Sequence, residues 1–263
     1  MRRTSLAVIA FAAATVSACG GSSAGNALQG LSPVAALAAA STKTTQAGTA
    51  KVALDVKSTV AGKAIEITGA GAFRLDGTAG IFNVSLNPGS GQPLTLEERT
   101  VDGVLYLKAP PLGDSFYALK TAALIGTSLG QSTDPTVGLT MLFGASDDVR
   151  EAGTDTVRGT TTTHYKGTYQ LRKATDKVGG PFAKAFAQQL VTNGDTAVPF
   201  DAYVDGDGRL RRLIQILTVK AQGRAVSSTS TTEFYDFGTP VDVKAPAADK
   251  VKDGTALLKG LSG

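Results

Sequence analysis

Chemistry in this chain has few places to start. Cys19 is the one cysteine, and it closes an N-terminal run with a recognisable layout. Arg2 and Arg3 form a basic n-region, Leu6 to Val16 an apolar h-region, and Ser17-Ala18 a small-residue lead-in. This is the layout of an export signal, with a thiol standing where an Ala-x-Ala cleavage site would be ordinary. The apolar stretch is too short for a membrane-spanning helix, which needs about 20 residues, and it runs into a Gly/Ser-rich tether. A solitary thiol also leaves no disulfide within one chain.

His164 is the sole histidine, so any imidazole acid–base scheme must pass through it. It shares strand parity with Thr162, Lys166 and Thr168, which reads as a polar, solvent-facing row, and no Gly-x-Ser-x-Gly elbow exists to partner it. Asp205-Gly-Asp207-Gly has the start of a calcium loop, but Arg209 stands where the third ligand belongs, and a hairpin turn explains it better. The acid pairs Glu97-Glu98 and Asp147-Asp148 alternate across strands and are expected to be solvated. Arg209, Arg211 and Arg212 form the densest basic cluster, with Arg209 and Arg211 on one face, and read as a solvated sheet edge rather than a headgroup site. Asn83-Val84-Ser85 matches a glycosylation sequon within a predicted strand and carries no weight. No metal-ligand cluster, phosphate loop or nucleotide fingerprint is present. The expectation is a protein that is not an enzyme, with no catalytic residue, metal or cofactor.

Charge sets further bounds. Removing residues 1–18 takes away Arg2 and Arg3 and no acid, so the formal charge falls from +4 to +2. The remaining Lys and Arg are scattered, which excludes a phosphate-tracking stripe and nucleic acid as partner. Without a disulfide the exported part must rest on its own core, and its length suits one β-rich domain.

The elements that must position these residues follow from periodicity. Residues 20–30 read as a tether with a reach of about 17–20 Å for a Gly/Ser-rich coil. Ser32-Pro33 is an N-cap and first-turn pair that opens an Ala-rich helix to about Gln46, ended by Gly48. Alternation then takes over. Val52, Leu54 and Val56 take one face of a strand, Ile65, Ile67, Phe73 and Leu75 that of the next, and Phe82, Val84 and Leu86 that of the third. Leu94–Val101 and Val104–Ala109 form a further hairpin, and the five strands make an antiparallel meander with one apolar face. Pro110-Pro111 opens a loop, and Asp134-Pro135 caps a short helix to about Phe143. Strands are predicted near 147–156, 161–171, 197–204, 209–220 and 225–237. Between them, in the segment 175–191, Val178, Phe182, Phe186 and Leu190 recur every four residues on one helical face, and Gly179-Gly180-Pro181 interrupts the start, which predicts a helix from near Pro181. The small residues Ala53, Gly69 and Gly71 are expected inward, where they leave room or let helices approach. The order argues an α+β fold, an antiparallel sheet covered on one face by helices.

With these elements in place, the sequence resembles a known group. The run up to Cys19 is similar to the lipobox of bacterial lipoproteins, which implies cleavage before Cys19 and a diacylglyceryl group on its sulfur. The lipobox, the Ser32-Pro33 helix, Val104-Leu105-Tyr106-Leu107, Thr161–Gly167 and the hairpin Ala202–Arg212 together resemble the LppX/LprA/LprF/LprG group of actinobacterial lipoproteins, structurally akin to the carriers LolA and LolB. The resemblance implies a strongly curved antiparallel half-barrel with helices covering its concave face. It also implies a cavity for acyl chains of a lipid or glycolipid, here lined by Val52, Leu54, Val56, Ile65, Ile67, Phe73, Phe82, Val84, Phe182 and Phe186. The expected organisation is a signal peptide at 1–18, a tether at 19–30 with lipidated Cys19, one lipid-binding domain at 31–246, and a tail or short helix at 247–263. The expected role is envelope lipid transfer or presentation by a monomer anchored to the extracytoplasmic face of the cytoplasmic membrane, with an envelope transporter as a partner. A non-catalytic interaction or sensor module with a filled core is the alternative.

Overall fold

The computed structural model describes residues 27–60, 62–89, 91–124, 136–170, 173–174, 197–221 and 224–257. Cys19 and the helix expected within 175–191, with Phe182 and Phe186, lie outside these residues. Chain order begins with helix α1 (Pro33–Gln46), β1 (Thr49–Val60), β2 (Lys63–Arg74), β3 (Ala79–Asn87), β4 (Leu94–Val101), β5 (Val104–Lys108) and β6 (Phe116–Lys120). The short helix α2 (Thr136–Met141) follows, then β7 (Arg150–Val157), β8 (Thr160–Gln170), β9 (Ala197–Asp205), β10 (Leu210–Ala221), β11 (Arg224–Tyr235) and β12 (Val251–Asp253).

Among the described residues, twelve strands join in one curved, unclosed sheet of order β12-β6-β5-β4-β3-β2-β1-β11-β10-β9-β8-β7. The predicted meander from β1 to β5 is present and continues into β6 by antiparallel pairing of Leu105 with Leu119. β1 closes the two wings by pairing β2 on one side and β11 on the other. Within the span 247–263, expected as a tail or short helix, the described residues form a 3-10 turn at Ala248–Lys250, then β12, which lies parallel to β6, then helical residues at 255–257. Three residues are too few for an alternation signal, so neither β12 nor its docking edge was predictable.

The helices sit on the concave face because their small faces allow it. Ser32 caps α1 by accepting from the Ala35 N–H, with Pro33 in the first turn. Ala36, Leu37, Ala40, Ser41 and Thr44 form its buried side. The polar members of that side are satisfied: Ser41 Oγ donates to the Leu139 carbonyl at 2.7 Å, and Thr44 Oγ1 accepts from the Leu210 N–H at 2.8 Å. α2 lies close on β10, since a Cβ added at Gly138 would stand 2.9 Å from Leu213 Cδ2.

The inward glycines do not leave a gap. A Cβ at Gly69 would meet the Phe82 ring at 2.5 Å, and one at Gly71 would meet it at 2.7 Å and the Ile81 carbonyl at 1.9 Å. Phe82 therefore lies across two glycines of the neighbouring strand. Phe73 lies in the same way over Gly80, 2.2 Å from a Cβ there, and the two rings pack at 5.3 Å between centroids. Ala53, expected inward, points to the other face, because Val52 and Leu54 on either side of it take the concave one.

Candidate functional site

The concave face is laid out in rows by the strand register. One row runs Val56–Ile67–Leu86–Leu94 across β1 to β4. The next runs Leu54–Gly69–Val84–Leu96, and the third runs Val52–Gly71–Phe82–Glu98 and on to Leu107 of β5. Rows stand about 6.6 Å apart along the strands. Burial changes sharply between them.

Val52, Phe73, Phe82 and Val84 are buried in the core beneath the helices, along with Phe234, Leu213 and Ala202. Leu54, Val56, Ile65, Ile67, Leu86, Leu94 and Leu96 are only half-buried. The eight expected lining residues that the structure describes thus share one face, but they divide into a packed end and an open end. The open end is an apolar strip at the ends of β1 to β4 remote from α1.

A different chemistry lines the opposite wing. Thr232, Ser230 and Ser228 of β11 stand opposite Leu54, Val56 and Ser58 on β1, which places a hydroxyl seam beside the apolar strip. Beyond it Gln215 Nε2 donates to the Tyr169 hydroxyl at 2.6 Å, so this buried amide is engaged.

Glu98 is the residue that the expectation of solvated acid pairs misplaced. Glu97 points outward and pairs with Arg99 at 2.6 Å, whereas Glu98 is 3% exposed on the concave face. Its Oε1 has no hydrogen-bond partner. Burial pushes its carboxyl up to about 8, because the charged form has lost water and gained nothing. A signal for this was present: the alternation Leu94, Leu96, Glu98 assigns the carboxyl to the apolar side.

The convex face holds the remaining candidates. His164 points outward, with Nε2 2.6 Å from Asp201 Oδ1 and its ring stacked on Tyr203 at 4.5 Å. Arg212 and Arg158 both reach Glu233, at 2.7 and 2.6 Å. Asp205-Gly-Asp207-Gly is a hairpin turn, with Gly208 at φ +81°. Arg209 and Arg211 do share a face, but not as a solvated edge. They gather round the buried Asp205 carboxylate, Arg211 Nε at 2.6 Å and Arg209 Nε at 3.4 Å, because a charge at that depth requires compensation. Both guanidiniums also lie over the Phe237 ring.

Among the described residues, no three His, Cys, Asp or Glu side chains gather as a metal site, and no helix is long and apolar enough to cross a membrane. Two open clefts lie away from the concave strip. One of about 450 Å³ on the convex side includes Asn83, Glu97, Lys108 and Asp114, and one of about 580 Å³ lies along β5, β6 and β12.

Comparison with known proteins agrees with this architecture. The chain is similar to LprF from Mycobacterium bovis, with a TM-score of 0.50 at 14% identity over 82% of this chain and 97% of that one. It is similar to the lipoprotein LppX of Mycobacterium tuberculosis, with a TM-score of 0.51 at 15% identity over 81% of this chain and 98% of that one. At such identities these likenesses speak for the fold. In sequence it is 30% identical over 256 residues to an uncharacterized 31.2 kDa protein from the rplA-rplJ intergenic region of Streptomyces griseus, covering 87% of this chain and 81% of that protein. The LppX_LprAFG lipoprotein model matches residues 32–243, the span from the N-cap of α1 to beyond β11. The chain belongs to the LppX_LprAFG lipoprotein family.

Proposed function

We propose that this protein is a membrane-anchored lipoprotein that holds the acyl chain of a lipid or glycolipid against the open end of its concave face, for transfer or presentation in the cell envelope. The observation that carries this reading is the half-buried strip of Leu54, Val56, Ile65, Ile67, Leu86, Leu94 and Leu96, seven large aliphatic residues on one continuous face. Such a strip binds hydrocarbon without polar specificity. Each methylene it covers is worth about 0.8 kcal/mol, so roughly a dozen suffice to dominate affinity.

Cys19 is the proposed point of lipidation, on the extracytoplasmic face of the cytoplasmic membrane. The described fold begins close to it in sequence: Ala27 N–H donates to the Gly206 carbonyl at 3.0 Å, which pins the end of the tether to the β9–β10 hairpin. A carrier so anchored works within a tether's length of the membrane, loading or handing on its lipid to an envelope partner such as a transporter. Native mass spectrometry of detergent-free protein, with titration of a fluorescent fatty acyl probe, tests the reading. Co-purifying lipid and saturable uptake are expected. Absence of both rejects it in favour of a filled-core interaction module, the reading that the Phe82 ring over Gly69 and Gly71 favours at the packed end.

A further inference from the structure

Glu98 is a buried titratable group that an all-hydrocarbon site leaves unused. On the concave face it stands between Phe82 of β3 and Leu107 of β5, and Leu96 and Thr100 flank it along β4. The described positions that face it across the sheet are Gly80, Phe82, Val84, Leu105, Leu107 and Ala109, and the turn Pro110–Leu112 packs on β4 nearby. None of these carries a charge or titrates; the next titratable side chain in the row is Tyr117 of β6, opposite Leu107, whose hydroxyl donates to the Leu112 carbonyl at 3.4 Å. The carboxyl is 3% exposed and its Oε1 is without a partner.

Its position is as informative as its burial. Leu94, Leu96 and Glu98 follow one another on the same face, and exposure falls along them from half-buried to buried. The apolar strip therefore runs inward along β4 and ends on a hydrogen-bonding group. Burial keeps this group protonated at neutral pH. In that form its O–H donates to an ester or amide carbonyl, and its own carbonyl is free to accept from an amide N–H. A ligand ammonium would be matched poorly, because it would have to leave water for a face that offers it no ionised carboxylate.

Building on the acyl-chain reading above, we propose that Glu98 is a polar anchor that hydrogen-bonds the ester or amide group of an acylated ligand whose chain lies along Leu94 and Leu96. This gives the site a selectivity that hydrocarbon contact alone lacks. An apolar pocket discriminates weakly between related chains, whereas a buried group waiting for a partner rejects a ligand that cannot supply one.

The test uses purified full-length protein and two probes, a pyrene-tagged dodecanoate methyl ester and the matching pyrene-tagged dodecane. Native protein is expected to bind the ester about 5–10-fold more tightly, the range of one net hydrogen bond. Glu98→Gln keeps most of that preference, since an amide also donates and accepts. Glu98→Leu abolishes it, because leucine neither donates nor accepts. Native protein at about pH 9 gives a further arm that needs no variant, because the ionised carboxylate has no proton to donate and the ester preference falls. Equal binding of both probes by native protein at neutral pH, or a preference that survives Glu98→Leu, overturns the anchor alone. Failure of native protein to bind either probe overturns the acyl-chain reading and the anchor with it.

Discussion

Replacing Glu98 removes a titration that opposes the fold. Its buried carboxyl stands on the same face as Phe82, Leu96 and Leu107, and its pKa is pushed from 4.5 up to about 8. Between those values the folded chain keeps a proton that the unfolded chain has released. The unfolded state then binds fewer protons, so stability falls as pH rises. Below about pH 4.5 both states are protonated and above about 8 both are ionised, which confines the loss to that window. At 1.36 kcal/mol per unit, passing from about pH 5 to about pH 8 removes on the order of 3–4 kcal/mol. Other groups titrate in the same range, so the quantity to measure is a difference. Urea unfolding of native protein and Glu98→Gln is followed at half-unit steps of pH. The unfolding free energy of native protein relative to the variant should fall by on the order of 3–4 kcal/mol between about pH 5 and about pH 8 and level off beyond about pH 9. A difference constant within about 0.5 kcal/mol, the scale of an ordinary surface substitution, refutes the reasoning. It would mean that the folded protein lets the carboxyl ionise freely, through solvent or a partner.

Four other substitutions probe separate parts of the protein. Leu37→Ala deletes a side chain with 0% exposure between α1 and the sheet, and should lower the unfolding free energy by about 2–5 kcal/mol in the same urea assay. Gly71→Val places carbon against the Ile81 carbonyl and the Phe82 ring, and should destabilise by about 1–3 kcal/mol, with Phe82 displaced from its site in a crystal structure of the variant. Arg211→Ala strips the nearer cation from buried Asp205. The expected loss is about 2–3 kcal/mol by urea unfolding, less than the roughly 3–5 of a wholly unpaired buried charge, because Arg209 Nε stays 3.4 Å away. Cys19→Ala should move the protein from the membrane to the soluble fraction on centrifugation while leaving uptake of the fluorescent acyl probe unchanged.

What the sequence made legible was whatever obeyed a local period. β1 to β5 announce themselves through alternation and the turns Asp76-Gly77 and Asp102-Gly103, and α1 through Ser32-Pro33. The strip itself was legible for the same reason, since parity alone puts Leu54, Val56, Ile65 and Ile67 on one face. β6 and β12 escaped because five and three residues carry too little pattern, and because β12 is held by a partner far away in the chain. Glu98 shows a different failure. Parity placed it correctly, but the general rule that carboxylates stay wet outweighed parity in the reading of Glu97-Glu98.

The glycines show why a list of inward residues is not a description of a site. Gly69 and Gly71 are inward, as their parity requires, yet the space they free is taken by Phe82 from the neighbouring strand. Room on a sheet face is set by what crosses from the adjacent strand, a relation between β2 and β3 that neither sequence contains alone. Where the neighbour is small or aliphatic, one row further along the same strands, the face stays half-open: Ile67 stands beside Leu86, and Leu86 beside Leu94. The packed and open ends thus arise from one register. The described chain begins at the packed end, where Ala27 meets Gly206 of the β9–β10 hairpin, while the strip lies toward the β1–β2 hairpin at the other end. With strands rising about 3.3 Å per residue, the rows of Ala50 and Val56 are separated by about 20 Å. The anchor proposed at Cys19 would therefore attach to the end of the molecule that is already filled, and not to the open end that carries the strip.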